Sequence, residues 1–166
     1  VALALYRTPD RWLAVSLTFV IGFVAWTFVE YMMHRYVLHH LTYIKDQHAK
    51  HHDDQKALFG TPTWLSLLVF LMLVTGPAIT WVGLELGCAF SAGMMLGYLG
   101  YTLAHYCIHH WNARSGSYLF RLKHRHALHH HFDDQGNFGV SNSIWDYVFR
   151  TNIAVRRSES KPAEAS

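Results

Sequence analysis

The phrase HAKHH at positions 48 to 52 returns as HALHH at 126 to 130, and each copy runs into Asp-Asp-Gln and, further on, a Phe-Gly pair, Phe59-Gly60 and Phe138-Gly139. Upstream of the first copy stands HRYVLHH (34 to 40), and upstream of the second HYCIHH (105 to 110). On an α-helix, residues three and four apart share a face, so His48, His51 and His52 converge, as do His126, His129 and His130, and His105 with His109. His34 and His39 are five apart and would diverge by about 140° on an ideal helix. A π-helical turn or a helix end would bring them to one side, unless they serve different ions.

Convergent neutral imidazoles are ligands for a transition metal, and an ionisable side chain at a membrane edge is costly unless such a partner is present. At roughly four to six ligands per ion, the ten spaced histidines imply two ions, each drawing on both half-sites. Imidazole suits zinc, iron, copper and nickel alike, so residue type alone does not select the metal. His40, His110, His124 and His131 fall outside the spacing and read as solvated or supporting groups. Asp53, Asp54, Asp133 and Asp134 are candidates to accept the second ring N–H of the ligands.

Holding four separated groups together requires elements that end at one level. Of the 166 residues, 51% are hydrophobic and 15% charged, against roughly 25% charged in an ordinary soluble domain. Trp12 to Val29, Ala57 to Leu84 and Leu86 to Ala104 carry no charge, each near or beyond the roughly 18 residues of a membrane span. The first is no signal peptide, because it lacks a small-residue cleavage site and continues into HRYVLHH. The expected fold is an all-α, integral-membrane helical bundle of about three to four spans, with a cytoplasmic helical cap holding a dinuclear histidine site.

If the first span delivers His34 and His39, the second leaves from about Thr63 and turns near Gly83 to Gly87, and the third returns with His105 and His109, all clusters share one face. Of 14 Lys and Arg, only Arg7 and Arg11 precede the first span and none lies in the turn, which makes the histidine side cytoplasmic. Three crossings would then place the amino terminus outside beside two arginines, a conflict that an upstream helix or a re-entrant hairpin would remove. Pro77 is a candidate kink in the second span. The formal charge of +3 reads as basicity toward anionic lipid, and no nucleic-acid partner is expected. A helix is expected over Tyr118 to His131, after the loosening run Asn112 to Gly116. Residues 1–151 form a single membrane domain, and 152–166 a disordered tail. Cys88 and Cys107 lie in apolar segments as packing residues, without a disulfide framework.

The order His34-x4-His39, His48-x2-His51-His52, His105-x3-His109, His126-x2-His129-His130 resembles the histidine boxes of the fatty acid hydroxylase and sterol desaturase superfamily of membrane di-iron oxygenases. EYMMHRYVLHH is similar to its first box, and NFGVSNSIWDYVFRT (137 to 151) to the stretch after its last. GYLGYTLAHYCIHH is most similar to the fatty acid 2-hydroxylase branch, departing from it at Thr102, where that branch carries aspartate. The resemblance implies O2-dependent hydroxylation of a lipid C–H bond, foremost in a fatty acyl chain, with the ten histidines holding two iron ions that zinc can replace in a purified protein. It also implies a lipid substrate from the bilayer and electrons from a separate cytochrome b5- or ferredoxin-type carrier and its reductase, since the chain has no room for a fused cytochrome b5 domain. Tyr101, Trp111, Phe132 and Trp145 are candidates for lining the lipid entry, although aromatic residues at this depth also form interfacial belts. Carotenoid ring hydroxylation and sterol or lipid desaturation are the alternatives within the superfamily. Structural zinc binding is the alternative of another class. Metal transport is disfavoured, because every histidine group falls at one membrane edge.

Overall fold

The computed structural model describes residues 11–56 and 63–153. Phe59-Gly60 lies outside them, as does the tail from residue 154 onward. Among the described residues every regular element is helical. In chain order these are α1 (Trp12–Met32), extended by a π-helical turn (Met33–Leu38), α2 (Thr42–Asp53), α3 (Thr63–Phe70), extended by a π-helical turn (Leu71–Thr75), α4 (Gly76–His110), α5 (Tyr118–His131) and α6 (Ile144–Val148).

Two helical stretches, Trp12–Leu38 and Trp64–His110, are long and apolar enough to cross a membrane. Their outward side chains, among them Leu17, Ile21, Val24, Met72, Leu73 and Leu99, are exposed. Such a continuous apolar surface suits lipid as solvent. Trp12 and Trp81 project at the end remote from the histidines, and Tyr36, Trp64 and Trp111 at the histidine end, as interfacial belts do.

The second stretch folds back on itself. Gly83 has φ 83° and ψ 168° inside α4, a backbone region that essentially only glycine tolerates. Beyond it the arms run antiparallel, with Phe70 against Tyr98 at 5.6 Å between ring centroids and Tyr98 Oη donating to Ser66 Oγ at 3.4 Å. The turn expected at 83 to 87 is therefore at Gly83. The kink expected at Pro77 takes another form: the chain widens just before it, in the π-helical turn Leu71–Thr75, where the amide of Gly76 reaches back to Leu71 O. Proline leaves the carbonyl four residues earlier without its donor, and a wider turn absorbs the clash.

The α1 residues Val15, Gly22, Trp26 and Glu30 are buried, a stripe of helical period laid along α4. Gly22 sits against the Phe90 carbonyl and Gly93 against the Phe19 carbonyl, so close that a Cβ at either would overlap backbone. Small residues let membrane helices approach in this way. Trp26 fills the next layer with Phe70, Met94 and Tyr98. The cap closes the histidine end: Ile108, Leu122 and Val140 form a buried cluster joining α4, α5 and the segment after it. α5 spans the expected residues, and Ser117 caps it by accepting from the Phe120 amide at 3.1 Å, as N-cap serines do.

Candidate metal centre

The ten spaced histidines gather in two groups of five. The first is His34, His39, His48, His52 and His129, and the second His51, His105, His109, His126 and His130, with the ligand-capable nitrogens of each group within 4.8 Å of one another. Both half-sites serve both groups. HAKHH gives His48 and His52 to the first and His51 to the second, while HALHH gives His129 to the first and His126 and His130 to the second. Helical spacing explains the split: positions i and i+4 share one azimuth, and the remaining position of each triplet is turned to the other group. The groups adjoin, with His52 stacked on His130 at 4.0 Å and 16°.

The π-helical turn aims the first box. Its i→i+5 bonding carries residues five apart to the same side, and His34 and His39 stand with ring centroids 5.3 Å apart.

The nitrogens are spaced for coordination. In the first group, Nε2 of His48 lies 3.2 Å from that of His34 and 3.1 Å from that of His52, and Nε2 of His39 lies 3.2 Å from that of His129. In the second, Nε2 of His126 lies 3.2, 3.0 and 2.9 Å from those of His105, His109 and His130. Two nitrogens each about 2.1 Å from one ion stand about 3.0 Å apart at a right angle and about 3.4 Å apart in a tetrahedron. The donor set also fits, because ten neutral imidazoles suit first-row transition ions and five donors fall one short of an octahedral shell.

Tautomers support the same conclusion. His34 Nδ1 donates to the Phe138 carbonyl at 2.6 Å, and His129 Nδ1 donates to the Gly136 carbonyl at 2.8 Å. A carbonyl can only accept, so both rings carry their proton on Nδ1 and turn a lone pair at Nε2 toward the cluster. Burial holds the cap rings neutral. It keeps His126 well below the usual imidazole range, assisted by neighbouring histidines, and holds His51 and His129 at about 4. Neutral rings take up a cation without first shedding a proton.

His34 and His129 use these carbonyls and not the expected aspartates. Asp133 and Asp134 instead accept from Gln135, through its backbone amide and its side chain. Backbone carbonyls serve because the 136–141 segment is drawn tight behind the first group. Asp146 accepts from the Phe138 amide at 2.9 Å and the Gly139 amide at 3.0 Å, and Glu30 from the Val140 amide at 2.9 Å and the Ser141 amide at 2.7 Å. Four successive N–H groups thus end on two buried carboxylates. Ser141 Oγ donates to Glu30 Oε2, and Arg125 pairs with Asp146 at 3.1 Å. Hydrogen bonds to charged groups contribute about 1.5–3 kcal/mol each. Buried Asn137, at φ 56°, donates to the Arg125 carbonyl and accepts from the Ile153 amide.

Glu30, Asn137 and Asp146 were not singled out from the sequence. Glu30 did carry a signal, as an acid directly following a charge-free span. The lipid-entry candidates separate in space. Tyr101 stacks beside His105 at 5.8 Å and 9°, whereas Trp111 and Phe132 are exposed. Trp145 packs on Phe28 and donates to Thr27 Oγ1 at 3.0 Å, at the edge of an apolar groove on α1. The histidines outside the spacing stay outside the groups. His40 bonds the Arg35 carbonyl, His131 meets Gln55, His110 stacks on Tyr106, and His124 is exposed.

Fold and site together define an all-helical membrane protein with two histidine clusters able to hold metal at one edge of its helices. The fatty acid hydroxylase family profile matches residues 19–151, and the chain belongs to that family. The resemblance carried by the histidine boxes and the NFGVSNSIWDYVFRT ending is thereby borne out. Among its relatives, the fatty acid 2-hydroxylase of Mus musculus is 34% identical over 152 residues, covering 81% of this chain and 39% of that one. The ceramide very long chain fatty acid hydroxylase scs7 of Schizosaccharomyces pombe is 35% identical, covering 95% and 48%. A dihydroceramide fatty acyl 2-hydroxylase of Arabidopsis thaliana is also 35% identical, covering 80% and 59%. The solved structure of full-length scs7p, in which only the hydroxylase domain is visible, superposes with a TM-score of 0.74 at 25% identity, over 92% of this chain and 63% of that one. The chain thus spans less than two thirds of the length of each of these proteins.

Proposed function

We propose that this chain hydroxylates a C–H bond of a lipid, foremost a fatty acyl chain, using O2, two electrons and two protons to form one alcohol and one water. The observation that carries the proposal is the pair of adjoining five-histidine groups at the membrane edge. The ten histidines would hold two iron ions, whose chemistry when bound is the activation of O2 toward an unactivated C–H bond. The relatives named as fatty acid and ceramide hydroxylases support the acyl substrate.

The chain's own residues supply position and exclusion. His34, His126 and His129 are almost fully buried, which keeps bulk water from the reacting centre. Tyr101, stacked on His105, closes the bilayer side of the second group. A lipid reaching the site from the bilayer need not cross water. The Lys and Arg of the histidine end support a cytoplasmic position for that face, where a separate cytochrome b5- or ferredoxin-type carrier and its reductase would deliver electrons.

The test is reconstitution of the purified chain with ferrous iron, a reductase chain and ¹⁸O2, followed by lipid mass spectrometry. A fatty acyl product that gains one labelled oxygen is the expected result. Absence of any O2-dependent product across fatty acyl, sterol and carotenoid pools would overturn the proposal.

A further inference from the structure

We infer that Glu30 and Asp146 are positioning residues for the first histidine group: they fix the 136–141 segment so that its carbonyls lock His34 and His129, and so set how firmly that group keeps its ion. The inference rests on the two groups being metal sites and deepens that proposal.

The chain of contacts is continuous. Glu30 Oε1 receives the amides of Val140 and Ser141, and Asp146 receives those of Phe138 and Gly139. With four consecutive N–H groups turned to the carboxylates, the carbonyls of Gly136 and Phe138 face the rings of His129 and His34. Glu30, Asp146, Phe138 and Val140 are buried, so water does not compete for these bonds. Thr151 ties the arrangement from behind, donating from Oγ1 to Asp146 Oδ1 at 2.9 Å and offering its carbonyl to the Asn137 amide at 2.8 Å.

The second group lacks this support. The Nδ1 atoms of His126 and His130 are buried and meet no hydrogen-bond partner among the described residues. Ring orientation there comes from helix packing and from contacts between rings, such as His126 with His130 at 4.4 Å. A ligand whose far nitrogen is bonded holds its tautomer and direction. Loss of such a bond typically weakens metal affinity about 10–100-fold.

The test follows zinc, as the metal alone, in the full detergent-purified chain: ions per chain by elemental mass spectrometry, and the rate of their release to a chelator. The unaltered chain should hold about two ions. In Asp146→Asn, which presents an amide donor to backbone donors, and in Glu30→Ala, one ion should leave about 10–100-fold faster while the other keeps its rate. Glu30→Gln retains a carbonyl oxygen for the two amides and should restore the slow rate, a rescue that a general loss of folding would not show. The ion is located in two backgrounds. With His109 and His130 both changed to alanine, Asp146→Asn should release the remaining ion. With His39 and His48 both changed, it should leave the remaining ion unaffected. Ser141→Ala, which removes only the hydroxyl contact to Glu30, is the mildest variant and should speed release from the same group by a few-fold.

Equal loss of both ions, or an effect in the His39/His48 background, would overturn the inference in favour of a role in the whole fold. Two slowly released ions in Asp146→Asn would overturn it alone. An unaltered chain that binds no zinc would overturn it together with the metal-site proposal.

Discussion

The two histidine groups have the same number of rings but differ in what stands behind them. The first is backed by polypeptide: two of its five rings donate to carbonyls of a segment that two buried carboxylates hold in place. The second is backed by helices, with four of its five rings on the facing ends of α4 and α5 and the aromatic face of Tyr101 beside His105. Equal ligand counts therefore do not imply equal sites. One is oriented by hydrogen bonds, which are directional and fail abruptly when a partner is lost. The other is oriented by packing, which yields gradually.

Substituting one histidine in each group tests this contrast most strongly. His129→Ala and His51→Ala should each lower product formation by about 10²-fold or more, because displacement near the reacting centre is that costly. They should differ in metal content, each weakening the ion of its own group. Product turnover and ions per chain, measured on the same preparations, check both statements.

Acid should act on the two groups alike. Burial holds His48 at about 2 and His129 at about 4 in the first group, and His51 at about 4 in the second. An unfolded chain takes up those protons near 6.5. The metal-free protein should therefore be most stable above pH 6.5 and lose stability progressively as pH falls from 6.5 toward 4, since the unfolded state binds protons that the folded state refuses. Thermal unfolding followed by circular dichroism across this window would show it, and a flat melting temperature would contradict it.

A change in the membrane-embedded scaffold should also strike both groups equally. Gly93→Val forces a branched side chain against the Phe19 backbone, an overpacking that costs about 1–3 kcal/mol. Loss of both ions in parallel with a lowered melting temperature is expected, in contrast to the single-ion effect of the carboxylate variants. At the small end, His124→Ala touches neither group and should change stability by no more than about 0.5 kcal/mol, with turnover unaltered. An effect beyond that would mean the boundary of the site is drawn too narrowly.

Much of the site was legible because helical geometry is local. Spacings of three and four place His48, His51 and His52 on one side of α2 and His126, His129 and His130 on one side of α5 without reference to anything distant. The five-residue step from His34 to His39 announced an irregular turn, and the chain has a π-helical turn there. Asp133 and Asp134, close in sequence to the histidines, looked like natural partners but accept from Gln135. The partners used by His34 and His129 are carbonyls, a group that every residue carries and that no residue type reveals.

The sequence by itself determined the apolar helices, the level at which they end, and the convergence of histidines within each box, since all three follow from composition and from the 3.6-residue period. Only the tertiary structure decided which boxes contribute histidines to the same group, and that Glu30 and Asp146, 116 positions apart, grip adjoining amides of one segment. Those pairings depend on where α1, α4 and α5 cross. The crossings are fixed by side-chain and backbone contacts between distant residues, such as Gly22 with Phe90 and Gly93 with Phe19, which local periodicity does not encode.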